Sequence, residues 1–295
     1  MTGARCGAGV LAGVLAWAVA SPVLQPSVVA GRPAERPIVI TRADSLAGRS
    51  FEIVGRVVEK TRDRGMIETE EQLVDGSSAG LVRQARALGA DAVLGVHGLR
   101  GSSDSQPRWV SGVAVRWLEP GAGVASRRAG FVVVVLPIEI PDTLVQKAKA
   151  RARLADALRD QARSMLETRG YYTAANAPAI ADTATLAAMS DSVWNASFGQ
   201  WTENVLAIEF GRSHSSNLVI QSRRETAVEA WLYSRAAGRV TWRREAVGSA
   251  NNWKAFDPQF QWRIGAGFAG SQEVLEKSLT SAVARVLEEV PPPSP

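Results

Sequence analysis

Two apolar periods alternate along this chain, and the switches between them mark its elements. Phe51 to Glu59 (FEIVGRVVE) is rich in β-branched residues and predicts a strand. Between Ile67 and Leu88, Leu73, Leu81, Val82, Ala85 and Leu88 are spaced for one face of a helix, with Gly76 and two serines interrupting its middle. Gly89 stands where a helix C-cap belongs. Ala92 to Leu99 (AVLGVHGL) and Trp109 to Leu118 (WVSGVAVRWL) read as strands joined by the polar turn Gly101 to Pro107. The first half therefore runs strand, helix, strand, strand.

Phe131 to Pro137 (FVVVVLP) opens the second half as a strand buried on both faces. A long helix follows from Pro141-Asp142-Thr143, with Thr143 and Gln146 at capping-box spacing. Its inner stripe is Leu144, Ala148, Ala152, Ala155, Leu158, Ala162, Met165 and Leu166. Lys147, Lys149, Arg151, Arg153, Arg159 and Arg163 crowd the rest, relieved by Asp156, Asp160 and Glu167. Gly170 ends it after about 27 residues, or ~40 Å. Tyr171 to Thr173 is a short strand, Thr183 to Met189 a second helix and Val205 to Phe210 a strand. Thr226 to Tyr233 and Arg239 to Val247 form a hairpin around Ala237-Gly238, which would aim Trp231 and Trp242 at one core. Ser271 to Val290 closes the chain as a helix with Val274, Leu275, Leu279, Ala282, Val283, Val286 and Leu287 on one side.

This pattern predicts an α+β protein of two domains, residues 37–119 and 131–290, joined by a Gly/Ser/Arg linker at 120–130. Residues 21–36 form a proline-rich, extended lead-in, and the prolines of 291–295 a disordered tail. Residues 1–20 read as a secretory signal: Arg5, an apolar run from Gly7 to Ala20, and the small-x-small close Ala18-Val19-Ala20. A retained anchor or buried helix is the alternative, and Ala30 offers a second cleavage point. Cys6, the single cysteine, precedes the apolar run rather than following it. The expectation is an exported protein, periplasmic or envelope-associated, that is not a lipoprotein.

With 46% apolar and 21% charged residues, the 295-residue composition excludes intrinsic disorder and a multi-span membrane protein. The formal charge of +5 is not concentrated: residues 31–120 hold 13 Lys/Arg against 12 Asp/Glu, and residues 131–295 hold 18 against 17. Neither half carries the basic field that nucleic-acid binding needs. The basic exterior of the long helix offers a surface to anionic headgroups or an acidic partner, but an ordinary solvated face is the favoured reading.

Gly265 to Gly270 fits G-x-G-x-x-G, yet the chain ends after one helix, without the next strand and its acidic residue that dinucleotide binding requires. Gly211 to Ser216 sets hydroxyls beside His214 without a nucleophile elbow, and a polar loop accounts for it. Glu139, Glu209 and Glu229 are isolated carboxylates, and Asn195-Ala196-Ser197 is a chance sequon. Trp194, Trp201, Trp253 and Phe256 stand out as candidate partner-contact aromatics, with core packing the competing fate.

The opening Ile38 to Leu46, the Phe51-Glu52-Ile53-Val54-Gly55 strand and Leu88-Gly89-Ala90-Asp91-Ala92-Val93-Leu94-Gly95-Val96 resemble the YbjQ family. That resemblance implies a small β-α-β-β module that assembles into rings, and hence a homo-oligomer through residues 37–119. The family is also described as heavy-metal binding, but His97 is the only soft ligand in this half. The VVVVLP strand, the helix ending Arg169-Gly170-Tyr171-Tyr172 and the hairpin Trp231-Leu232 … Ala237-Gly238-Arg239-Val240-Thr241-Trp242 resemble periplasmic domains related to CsgG and the TolB N-terminal domain. That resemblance implies an α/β sandwich serving envelope assembly or transport without catalysis. The expectation is a non-enzymatic envelope protein without cofactor or metal, acting by self-association and contact with an envelope partner or the membrane surface. A metal-stress protein using His97 and a hydrolase using His214 are the alternatives.

Overall fold

Strands of the first half form a four-stranded sheet in the order β1 (Val39–Ile40), β3 (Ala92–Leu99), β4 (Arg108–Trp117) and β2 (Phe51–Thr61). In this computed structural model the described residues are 37–43, 49–61, 70–99, 108–119, 128–174, 178, 182–217, 221–253 and 269–293. Strand β2 (Phe51–Thr61) leads through α1 (Glu70–Ala87) to β3 (Ala92–Leu99) and β4 (Arg108–Trp117), which run antiparallel side by side. The short β1 (Val39–Ile40) lies parallel to β3. α1 is continuous through Gly76, and Ser77, spaced four residues from Leu81 and eight from Ala85, is buried on the same side of the helix. Gly89, at φ +66°, reverses the chain after it, and the Ala90 amide bonds back to the Ala85 carbonyl at 2.9 Å. Leu88, expected on the apolar face, falls beyond the helix and is 39% exposed over Gly55.

The second sheet has the order β6 (Tyr172–Ala174), β5 (Ala129–Val135), β7 (Thr202–Asn217), β8 (Gln221–Ser234) and β9 (Arg239–Trp253). β5 (Ala129–Val135) crosses over through α2 (Ala148–Thr168) to the parallel β6 (Tyr172–Ala174), as parallel neighbours require. α3 (Thr183–Ala188) and α4 (Asp191–Phe198) precede β7 (Thr202–Asn217), which lies parallel to β5. β8 (Gln221–Ser234) and β9 (Arg239–Trp253) continue antiparallel, and α5 (Ala269–Leu287) closes the fold. Gly248 lets α5 approach β9, since a Cβ there would overlap the Ser278 carbonyl and the Ala282 backbone.

Several expectations change. α2 starts at Ala148, not Thr143, because the Leu144 and Val145 amides bond to the Pro141 carbonyl and make a separate turn that buries Val145. Ala148 and Ala152 consequently point to solvent. Gly211 to Ser216 is part of β7 rather than a loop. The hairpin register sets Trp242 opposite Leu232, so side-chain alternation places Trp231 and Trp242 on opposite faces of the sheet. Trp231 packs with Trp194 and Tyr233; Trp242 packs on the side of α2 and α5.

The fold is α+β, with two sheets and five helices among the described residues, and Pro37–Pro295 forms one compact unit. Four apolar clusters hold the described part of it. One lies between α1 and its sheet, and two cover the opposite faces of the second sheet. The fourth joins Phe51, Leu94 and Val115 of the first sheet to Val132, Tyr172 and Trp201 of the second half. Residues 1–36, with the expected signal and lead-in, lie outside the described residues, as do 120–127 of the expected linker. Pro291, assigned by sequence to a disordered tail, accepts a 2.9 Å hydrogen bond from Tyr171 Oη. No helix among the described residues is long and apolar enough to cross a membrane.

Candidate functional site

A bulge in β3 builds a dense polar constellation at the junction of the two halves. Pairing with β4 shifts register between Leu94 and His97, and Gly95 takes φ +62°. The bulge turns the Gly95 carbonyl away from the ladder. It accepts a hydrogen bond from Tyr172 Oη of β6 at 2.7 Å and one from His97 Nδ1 at 3.1 Å. A carbonyl only accepts, so Nδ1 is the donor of that bond. The other ring nitrogen, Nε2, is buried and faces Glu167 Oε1 at 3.6 Å. The His97 and Tyr172 rings meet edge to face with centroids 5.0 Å apart.

Glu167 lies on the last turn of α2, with its side chain 1% exposed. Oε1 accepts from the Thr173 amide at 2.7 Å and from the Thr173 hydroxyl at 3.0 Å. Oε2 pairs with the Arg56 guanidinium of β2, whose Nε donates to Ser111 Oγ of β4 at 3.2 Å. Burial drives the carboxyl toward protonation, but His97, Arg56 and the Thr173 amide outweigh it and hold its pKa below the ordinary value. Arg56, His97, Ser111, Glu167, Tyr172 and Thr173 thus clasp the two sheets together. The oxygens of Glu167 are engaged by protein donors, which suits a structural ion pair rather than proton transfer to a substrate.

A cleft of about 430 Å³ lies elsewhere, lined by Arg128, Tyr171, Glu203, Asn204, Ser234 and Pro291 among others. Several of its polar groups are held by bonds within the protein. Glu203 accepts from Ser234 Oγ at 2.8 Å and from the Ala236 amide at 2.6 Å, securing the β8–β9 turn. Asn204 Nδ2 donates to the Gly130 carbonyl at 2.6 Å where β5 and β7 part.

Of the aromatic candidates, Trp194 is fully buried, its Nε1 donating to the Thr202 carbonyl at 2.9 Å, and Trp201 is 5% exposed. Neither is available to a partner. Trp253 ends β9 opposite Gln221, and Phe256 lies outside the described residues. Gly265 to Phe268 of the glycine motif also lie outside them, while Ala269 and Gly270 open α5. His214 is exposed on β7 opposite Glu225. Ser213 bonds instead to Thr226, on the α5 side, so strand alternation separates imidazole from hydroxyl. Among the described residues no group of three or more His, Cys, Asp or Glu side chains could hold a metal ion.

Sequence reasoning places Glu167 on the solvated face of α2, and the structure buries it. A signal for that burial stands in the stripe itself: a carboxylate directly after Leu166, one turn beyond Ala162 and Arg163, at the helix end that meets β6. Arg56, Tyr172 and Thr173 carry no comparable mark.

No family model matches the chain, and no curated protein does. Solved structures do. A minor lipoprotein from Acinetobacter baumannii is 12% identical over 57% of this chain and 99% of its own, with a TM-score of 0.29. The lipoprotein GNA1162 from Neisseria meningitidis is 20% identical over 47% and 96%, at 0.24. A PelC dodecamer from Paraburkholderia phytofirmans is 17% identical over 57% and 93%, at 0.30. Proteins named lipoproteins stand among these neighbours, against the expectation, drawn from the position of Cys6, that this chain is not a lipoprotein.

Proposed function

We propose that this protein is a non-enzymatic, envelope-associated component that works through its surface, associating with itself and presenting its second half to an envelope partner. The clasp is the observation that supports this reading. Its ionisable groups tie two sheets into one body, and Glu167 is sealed by Arg56 and Thr173 rather than opened to a substrate. The balanced charge of both halves directs the reading toward protein partners rather than nucleic acid. Sequence points to residues 37–119 as the self-association module. The faces of that sheet are largely taken, one by α1 and the other by the second half, so the available surface lies outside them.

The test has two arms. Light scattering on the full chain should give a mass above that of the monomer, and fractionation of intact cells should recover the protein with the envelope. A monomer at every concentration, or recovery from the cytosol alone, overturns the reading.

A further inference from the structure

The second sheet has one face that the helices of the described residues leave partly open. On β8, Val228, Ala230 and Leu232 pack against the side covered by α2 and α5, while Trp231 and Tyr233 pack on the side of α3 and α4. Farther along β7–β8–β9 this second side has no helix over it among the described residues. Cross-strand register places Glu209 of β7 beside Glu229 of β8, and Glu229 beside Glu245 of β9. Like charges directly opposite one another destabilise a sheet. Arg243 pairs with Glu229, and Trp231 Nε1 donates to Glu209 at 2.8 Å, but Glu245 has no ion-pair partner among the described residues. The row carries three carboxylates against one guanidinium. Val247, two positions past Glu245 on the same face, is 47% exposed.

The start of α2 carries the complementary misfit. Lys147 occupies the N-cap without a side-chain cap bond, and no acidic residue lies in the first turn. Lys147, Lys149 and Arg153 are exposed and form no ion pair among the described residues. Cations at a helix N-terminus oppose its dipole. The exposed Ala148 and Ala152 lie beside Lys149 and Arg153, one helical turn apart, and leave a small apolar strip between charges.

We propose that a second copy of this chain docks the start of its α2 onto the open face of β7–β8–β9, setting Lys147, Lys149 and Arg153 against Glu209, Glu229 and Glu245. The contact deepens the self-association proposed above, rests on it, and names its surface. The row keeps a net negative charge after Arg243 is counted, and the start of α2 keeps a net positive one, so each supplies what the other lacks. Val247 meets the strip at Ala148 and Ala152. Because α2 and the carboxylate row lie on opposite sides of the same sheet, the contact is head-to-tail, and its repetition builds a ring or a stack.

The experiment is sedimentation velocity on the full chain at about 50 and about 500 mM NaCl, with Glu245→Lys, Lys149→Glu and the variant carrying both. These side chains are exposed, and circular dichroism confirms that the variants fold. Association should weaken at high salt. Each single reversal should weaken it about tenfold or more. The double reversal, and an equimolar mixture of the two single variants, should restore it. An assembly that persists unchanged through both single reversals overturns this interface while leaving self-association standing. A wild-type chain that is monomeric at every salt and concentration overturns both.

Discussion

Arg56 of β2 and Glu167 of α2 are 111 positions apart in the chain, yet their side chains pair inside the protein, 11% and 1% exposed. The pair spans the junction between the two sheets. Beside it lies the cluster of Phe51, Leu94, Val115, Val132, Tyr172 and Trp201, so one apolar and one polar contact hold the halves together. Apolar burial supplies the favourable free energy there. The ion pair fixes the register in which the surfaces meet, since any slip strands a buried carboxylate.

Breaking this pair from one side should therefore be costly. Arg56→Met leaves Glu167 ionised and underpaired, and should lower stability by about 3–5 kcal/mol. Adding Glu167→Gln removes the stranded charge, so the double variant should lose less than the sum of its single changes. Urea unfolding midpoints of the four chains measure this directly; strict additivity would mean that the two side chains do not interact.

The same carboxylate sets a pH dependence. The folded-state pKa of Glu167 lies below its unfolded value. Its stabilisation is thus fully present above the ordinary carboxylate range and is lost as pH falls through the folded value. Glu167→Gln resembles the protonated form, so the melting-temperature gap between wild type and this variant should be widest near neutrality. The gap should shrink as pH drops below about 4. A gap that stays constant down to acid pH would show that Glu167 is not the group responsible.

Local pattern makes some of this legible and leaves the rest hidden, for physical reasons. β3 and the apolar side of α5 can be read because each pairs a strong period with a consistent burial pattern. Pattern alone misplaces Trp242 because facing depends on hairpin register, which a shift between Leu232 and Tyr233 alters by one residue. It misplaces the start of α2 because the Leu144 and Val145 amides turn onto the Pro141 carbonyl, which buries Val145 in one cluster with Ile138 and Ile140. The clasp is invisible to it because the members come from five separate elements, and no sequence spacing records that meeting.

Glycines give a paired test of packing with opposite signs. At Gly248 a methyl group would strike the backbone of α5, so Gly248→Ala should destabilise by about 1–3 kcal/mol. At Gly76, exposed on α1, nothing lies within 4 Å of the added carbon. Gly76→Ala should stabilise by roughly 0.5–1 kcal/mol through higher helix propensity. Thermal melts of the two variants should shift in opposite directions.

Trp194 separates the packing account of the aromatic residues from the partner-contact account. Its ring is fully buried, with its centroid 4.7 Å from that of Phe198 and 6.0 Å from that of Tyr233, and lies 5.1 Å below the Arg235 guanidinium. Trp194→Ala removes that volume together with the hydrogen bond to Thr202, and should cost about 3–5 kcal/mol. Trp194→Phe keeps most of the ring and should cost markedly less. Below its melting temperature, Trp194→Phe should associate with the same affinity as wild type, because the ring contacts only its own chain. Chemical unfolding and sedimentation on these two variants together decide the matter: weakened association of a fully folded Trp194→Phe would place this residue at an interface after all.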